Sequence, residues 1–261
     1  MAKRNAFEVA QDTAELVRTA VGKSKKHYTT ALIAAAGSST RMGKDISKQL
    51  LDVDGIPVLA RTLLAFEAAA TVTDIVLIAR REDFEEFVAL AKRYCITKLR
   101  KITQGGETRQ ISVRRGLGVI SPKTRFVAIA DGARCLITPE QIDAVNRTAY
   151  RTGAACAAVP ATDTVKIVDS HQRTTDSPDR STVWLAQTPQ TFSLPLYRAA
   201  AYYAKETGFE ATDDTTLVEN IKRSVTLVNC GAENIKITTP QDLYLAHAIL
   251  ARRAAAQKED V

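Results

Sequence analysis

The sequence predicts an α/β chain with a mostly parallel sheet covered by helices on both faces. Strand and helix signals alternate from Tyr28 onward, and such alternation is built as parallel strands joined by crossover helices. The run Asp-Ile-Val-Leu-Ile-Ala at Asp74–Ala79 reads as a buried strand. Composition agrees: 261 residues, 45% hydrophobic and 25% charged, describe a globular chain that needs no disulfide or metal to hold a core.

Residues 1–28 stand apart from this rhythm. Phe7, Ala10, Ala14, Val17 and Val21 recur at helical spacing, and Gly22-Lys23-Ser24-Lys25-Lys26 reads as a stop and a basic linker. An accessory amphipathic helix and a poorly ordered leader both fit that pattern. The main domain is expected over 29–253, with a tail at 254–261. It opens with the strand Tyr28–Ala35, followed by the helix Val58–Ala69, the strand Asp74–Ala79 and the helix Glu82–Tyr94. Phe84, Phe87, Val88 and Ala91 share one face of that second helix. Leu99–Thr103 is a strand, Arg109–Ile120 a helix and Phe126–Ala130 a strand. Pro139–Thr152 begins with proline in its first turn, where the missing N–H costs nothing, and Ala155–Val159 follows as a strand.

Thr162–Leu185 breaks the alternation. Two short stretches, Asp163–Val168 and Arg180–Leu185, flank the polar Asp169–Asp179, the pattern of an extended hairpin arm. Helices resume at Pro195–Thr207 and Asp213–Asn220. Strands are expected at Val225–Val228 and Ile235–Ile237, and a last helix from Pro240 to about Arg253.

Several function classes drop out on composition. No apolar run approaches the ~18 residues of a membrane span, and the N-terminus lacks the apolar core of a secretory signal. Cys95, Cys135, Cys156 and Cys230 are too scattered for a zinc site or a disulfide framework, as are His27, His171 and His247 for a metal. A reduced, cytoplasmic protein is expected. The net charge of +7 suits a polyanionic partner, either nucleic acid or a nucleotide or sugar phosphate.

The strongest local signal is Ala34-Ala35-Ala36-Gly37-Ser38-Ser39-Thr40-Arg41-Met42-Gly43, directly after the first strand. Ligands of open α/β sheets bind beyond the carboxyl ends of strands, and small residues let backbone N–H groups approach a phosphate. The loop fits neither the Walker A spacing nor the dinucleotide fingerprint. Arg41 and Lys48 flank it, two cations placed to clamp a triphosphate and neutralise charge on a transferring phosphorus. Three further clusters follow strands: Gln104-Gly105-Gly106-Glu107-Thr108-Arg109 running to Ser112, Asp131-Gly132-Ala133-Arg134, and Asn234-Ile235-Lys236-Ile237. Asp131 is a carboxylate at a strand end, suited to a metal or a ribose. Lys236 lies in an apolar strand.

These segments, with Lys48-Gln49, Asp163-Thr164-x-Lys166, Asp179-Arg180, Gln187-Thr188-Pro189-Gln190 and Thr212-Asp213-Asp214, resemble the 2-C-methyl-D-erythritol 4-phosphate cytidylyltransferase family from about Thr30 to Leu250. The resemblance implies a Rossmann-like nucleotidyltransferase fold with a projecting β-arm, 162–185, that interlocks a homodimer. It implies cytidylyl transfer from CTP to methylerythritol phosphate in isoprenoid synthesis, with Mg²⁺ bound mainly through the CTP phosphates. Arg41 and Lys48 would stabilise the transition state. Arg180 and Lys236 would position the sugar phosphate, with Thr164, Thr188 and Asp131 on the acceptor side. Ala34, Ala35, Ala36, Gly37, Gly105, Gly106, Ser112, Asp131 and Lys236 would hold CTP, and no residue would be a dedicated metal ligand. The sequence departs from the family at Ala130 and Cys135, where histidine and proline are common.

The chemistry of the residues points the same way. A phosphate monoester is ionised at neutral pH, so its attack on the α-phosphorus of CTP needs cations and no general base. Three other readings stand beside this one: a cytidylyltransferase for another polyol phosphate such as ribitol 5-phosphate, a non-catalytic nucleotide-binding protein on the same fold, and a nucleic-acid binder, which lacks a recognised motif.

Overall fold

The computed structural model describes residues 27–37 and 47–259. The expected leader helix and Arg41 lie outside them. β1 (Thr29–Ala34) is followed by a 3₁₀ turn at Lys48–Leu50 and a small hairpin, β2 (Asp52–Val53) and β3 (Ile56–Pro57). Next come α1 (Val58–Ala68), β4 (Asp74–Ala79), α2 (Phe84–Arg93), β5 (Leu99–Gln104), α3 (Arg109–Leu117) and β6 (Phe126–Asp131). The second half holds α4 (Pro139–Thr152), β7 (Ala154–Pro160), the arm strands β8 (Ile167–Val168) and β9 (Thr174–Asp176), and β10 (Trp184–Ser193). The chain ends through α5 (Leu194–Thr207), α6 (Asp214–Asn220), β11 (Thr226–Asn229) and α7 (Pro240–Glu259).

Seven strands form one sheet in the order β11-β7-β10-β6-β1-β4-β5. β1 pairs parallel with β4 and β6, β4 with β5, and β7 with β11; only β10 runs antiparallel, between β6 and β7. Successive residues of a strand face opposite sides, and β1 divides accordingly. Ala31 and Ile33 are buried with Leu59, Leu63 and Phe66 of α1 and Phe87 of α2. Leu32 packs on the other face with Val113 of α3, Tyr197 of α5 and Leu217 of α6. Both faces are therefore covered, as continuous apolar strands require.

Helix ends follow their sequence signals. Thr138 caps α4 in a reciprocal box with Gln141, Pro139 occupies the first turn, and Gly153 ends the helix at φ 86°. Thr108 accepts the Ile111 N–H at the start of α3, and Asp213 the Thr216 N–H at the start of α6.

Four expectations are corrected. The expected strand Ile235–Ile237 is an extended segment outside the sheet, held by Ile237 N–H on the Ala133 carbonyl. The last helix continues to Glu259, through most of the expected 254–261 tail. In the arm, β9 lies within the stretch expected to be the polar tip, and Arg180–Thr182 is a 3₁₀ turn. The arm's apparent second strand is the start of β10, a sheet strand that the sequence reading missed. Trp184–Ala186 pairs with Pro160–Ala158, and Gln190–Phe192 with Cys156–Ala154, across an irregularity that contains Pro189. The polar, proline-bearing Gln-Thr-Pro-Gln hides this strand, because proline enters a sheet interior only at such breaks. No described helix is long and apolar enough to cross a membrane.

Candidate active site

From β1 the chain moves outward through β4 to β5, then returns to place β6 on the other side of β1. This reversal is the topological switch point where open α/β sheets bind ligands. Ala34 at the end of β1 lies opposite Asp131 at the end of β6, so the loops that follow them flank one crevice.

The small-residue loop and the glycine pair meet there. The Ala35 N–H donates to the Ile78 carbonyl at 2.7 Å, and the Gly105 N–H to the Ala79 carbonyl at 2.9 Å. A Cβ built on Gly105 would lie 2.4 Å from the Ala36 Cβ, so only glycine lets the two loops touch. The Ser112 hydroxyl accepts the Gly106 N–H at 2.9 Å from within α3. Ala34, Ala35, Ala36, Gly37, Gly105, Gly106 and Ser112 thus form one rim. Gly37 is exposed.

Asp131 forms the opposite rim and is 8% exposed. Lys236 Nζ lies 2.9 Å from its Oδ2, Arg134 Nε lies 3.7 Å from Oδ2, and Arg109 Nε lies 3.6 Å from Oδ1. Burial alone would raise the Asp131 carboxyl, but Lys236, Arg109 and Arg134 outweigh it and hold it below the ordinary carboxylate range. Lys236 therefore has a structural partner that the sequence did not reveal. It reaches the crevice because Arg134 Nη1 donates to the Asn234 carbonyl at 2.6 Å, tying the 234–237 segment to the loop after β6.

Side-chain amides brace this edge from below. Asn234 Nδ2 donates to Gln187 Oε1 at 2.9 Å and to the Thr188 carbonyl at 3.0 Å. The Thr188 hydroxyl accepts the Asp131 N–H at 3.0 Å, so it sits under the end of β6, buried. Gln190 Oε1 accepts the N–H groups of Asp214 and Thr215, while its Nε2 donates to Asp213 Oδ2 at 2.9 Å. The sequence motifs around Gln187 and Asp213 are thereby fixed to each other.

The remaining expected residues are placed differently. Lys48, half-buried, stands on its 3₁₀ turn beside Gln49, whose Oε1 would be 3.1 Å from a Cβ on Gly132. The turn is thereby seated against the loop after β6. Thr164 is exposed at the base of the arm. Arg180 is also exposed and donates from Nη1 to the Thr162 carbonyl at 3.0 Å, so within this chain it does not share a partner with Lys236. Ala130 and Cys135, the two departures, are both buried, and burial pushes the Cys135 thiol up to about 11.

Arg109, Arg134, Asp214 and Tyr197 were given no role in the sequence reading. The first three fall in the segments that carry the family resemblance, but Tyr197 has no signal beyond its place on a helix. As for a metal, no cluster of three or more His, Cys, Asp or Glu stands among the described residues. Asp131 already faces three cations.

The sheet order, with a crevice of small-residue loops at its switch point, is that of a Rossmann-like α/β nucleotide-binding fold. The sequence model of the family described as 2-C-methyl-D-erythritol 4-phosphate cytidylyltransferase matches residues 29–252. The chain belongs to that family. It is 43% identical over 222 residues to the protein of that name from Microcystis aeruginosa, covering 85% of this chain and 98% of the relative. The Synechocystis relative of the same name is 41% identical over 224 residues, covering 86% of this chain and 97% of the relative. Among solved structures, 4-diphosphocytidyl-2C-methyl-D-erythritol synthase from Anaerococcus prevotii superposes with a TM-score of 0.78 at 29% identity, covering 86% of this chain and 96% of that one. The 2-C-methyl-D-erythritol 4-phosphate cytidylyltransferase of Thermus thermophilus gives 0.68 at 31% identity, covering 85% and 98%.

The Gly105 contact yields a first expectation. Overpacking of this kind costs ~1–3 kcal/mol, relieved here by parting the two loops. Gly105→Ala should therefore weaken CTP binding about tenfold in calorimetry. An unchanged affinity would mean that the rim does not hold the nucleotide.

Proposed function

We propose that this chain transfers the cytidylyl group of CTP to 2-C-methyl-D-erythritol 4-phosphate, giving 4-diphosphocytidyl-2-C-methyl-D-erythritol and pyrophosphate in isoprenoid synthesis. The observation that carries this reading, beside family membership, is the Asp131–Lys236 pair facing the Ala34–Gly37 rim across the switch point. Mg²⁺ carried on the CTP phosphates would offset part of the triphosphate charge. The loops at Ala34–Gly37 and Gly105–Gly106, with Ser112, hold the nucleotide through backbone donors and close approach. Asp131 lies where a ribose hydroxyl can donate to it.

The acceptor phosphate attacks the α-phosphorus, the new P–O bond forms and pyrophosphate leaves. No proton has to be removed, so the chain's task is to gather charge. Arg41 and Lys48 neutralise the transferring phosphoryl oxygens. Lys236 spends one of its three N–H donors on Asp131 and offers the others to the acceptor phosphate. Thr164 and Arg180 stand on or beside the arm and complete the acceptor site from a second copy of the chain.

That assembly is a homodimer through the arm. Ile167 and Val168 on the arm and Trp184 and Leu185 at its root in β10 are 49%, 50%, 37% and 54% exposed, an apolar concentration within 162–185. Replacing 169–178 with a two-residue turn should give monomers by light scattering and weaken acceptor use; an unchanged dimer would refute the role of the arm. Arg180→Lys loses the bidentate grip that suits a phosphate. It should raise the acceptor KM roughly tenfold, one hydrogen-bonded charge contact, with the CTP KM little changed. Equal losses for both substrates would move Arg180 out of the acceptor site.

The direct test incubates the protein with CTP, Mg²⁺ and methylerythritol phosphate and follows pyrophosphate release. Ribitol 5-phosphate serves as the competing acceptor. Release with ribitol 5-phosphate alone would transfer the assignment, and release with neither would end it.

A further inference from the structure

Beneath Asp131 runs a chain of buried polar groups that the reaction as described does not use. Arg109 is the first residue of α3 and faces two carboxylates. Its Nε lies 3.6 Å from Asp131 Oδ1, while its Nη1 donates to Asp214 Oδ2 at 2.5 Å. The other oxygen of Asp214 accepts the Tyr197 hydroxyl at 2.5 Å. Asp214 and Tyr197 are each 1% exposed, and Asp214 is further fixed through its N–H on Gln190.

A guanidinium between two carboxylates divides its charge according to how each is otherwise satisfied. Tyr197 supplies a donor to Asp214 and so lessens its demand on Arg109. Asp131 is served in turn by Arg109 on one oxygen and by Lys236 and Arg134 on the other. Any change in Arg109's hold on Asp131 alters how firmly Asp131 holds Lys236. The fork geometry of arginine is needed here, because a lysine ammonium is a point charge and does not bridge two planar carboxylates in the same way.

We infer that Tyr197, Asp214 and Arg109 form a buried positioning unit that sets, through Asp131, where the Lys236 ammonium meets the acceptor phosphate. This rests on the cytidylyl-transfer reading. None of the three touches the reacting atoms; they act through Asp131. The unit also explains why the start of α6 is tied by Gln190 to the strand that carries Thr188: both are parts of one support for the acceptor edge.

The test compares Tyr197→Phe, which removes a single oxygen, with Arg109→Lys, which keeps the charge and loses the fork. Both are assayed by pyrophosphate release with methylerythritol phosphate and CTP varied separately, alongside CTP binding by calorimetry. We expect the acceptor KM to rise at least fivefold in Tyr197→Phe and further in Arg109→Lys, with CTP affinity held within about twofold of the parent in Tyr197→Phe. Adding Lys236→Ala to Tyr197→Phe should produce no further rise beyond Lys236→Ala alone, because both act on the same contact. Unchanged acceptor KM in Tyr197→Phe, parallel losses for both substrates, or full additivity with Lys236→Ala would each overturn the inference. An inactive parent chain that still binds CTP would instead bring down the functional reading, and this inference with it.

Discussion

Lys48→Ala is expected to lower kcat by ~10²-fold or more while CTP affinity changes much less, as for a donor that acts on charge developing in the transition state. A hundredfold loss corresponds to ~2.7 kcal/mol of barrier. The placement of Lys48 supports an effect of this kind. Its neighbour Gln49 is 2% exposed and packed against Gly132, so the turn that carries Lys48 is anchored to the strand end bearing Asp131. Stopped-flow or steady-state pyrophosphate release, read beside calorimetric CTP binding, separates the two outcomes. Turnover near that of the parent would remove Lys48 from the chemistry. Arg41→Ala should behave in the same way.

Asp131→Asn should lose both stability and activity. The substitution leaves Lys236, Arg109 and Arg134 gathered around a neutral amide, and unpairing buried charge costs ~3–5 kcal/mol. With ~2–4 °C of Tm per kcal/mol for a domain of this size, a drop of roughly 6–20 °C is expected in calorimetry. The pH dependence has a definite sign. Burial alone would raise the Asp131 carboxyl, yet its three cationic neighbours hold the folded value below the unfolded one. Its contribution is therefore complete above the unfolded carboxylate pKa of ~3.9 and is lost as pH falls through the lower folded value. The stability gap between parent and Asp131→Asn should be constant near neutrality and narrow only in strong acid. A gap that narrows around pH 6–7 would assign the effect to another group.

Much of the scaffold was legible because its signals are local. Asp74–Ala79 and Pro139–Thr152 coincide with the observed elements, since one is a run of buried apolar residues and the other carries both of its end signals. β10 was not legible, because a strand crossing polar Gln187 and Thr188 and then Pro189 has neither apolar continuity nor alternation. Its burial comes from neighbours supplied by β6 and β7. Ile235–Ile237 failed in the opposite direction. Two isoleucines around a lysine read as a strand, but Arg134 and the Ala133 carbonyl hold the segment against a loop instead. Rim residues that follow strands, such as Gly105 and Asp131, could be found from order in the chain. The partners of Lys236 could not, because they are brought together only by sheet order, and Tyr197 lies 66 residues in sequence from Asp131 with no motif of its own.

β10 also divides the molecule energetically. Gln190–Phe192 is hydrogen-bonded between β6 and β7, whereas Trp184–Ala186 has only β7 beside it. The smallest cooperative opening along this strand therefore frees the arm and its root while the central sheet stays closed. The arm is continuous with the core in sequence but separable from it in free energy. The arm can thus loosen and re-seat without the domain unfolding, and how long it stays in place is set by the weak half of one strand rather than by the stability of the fold.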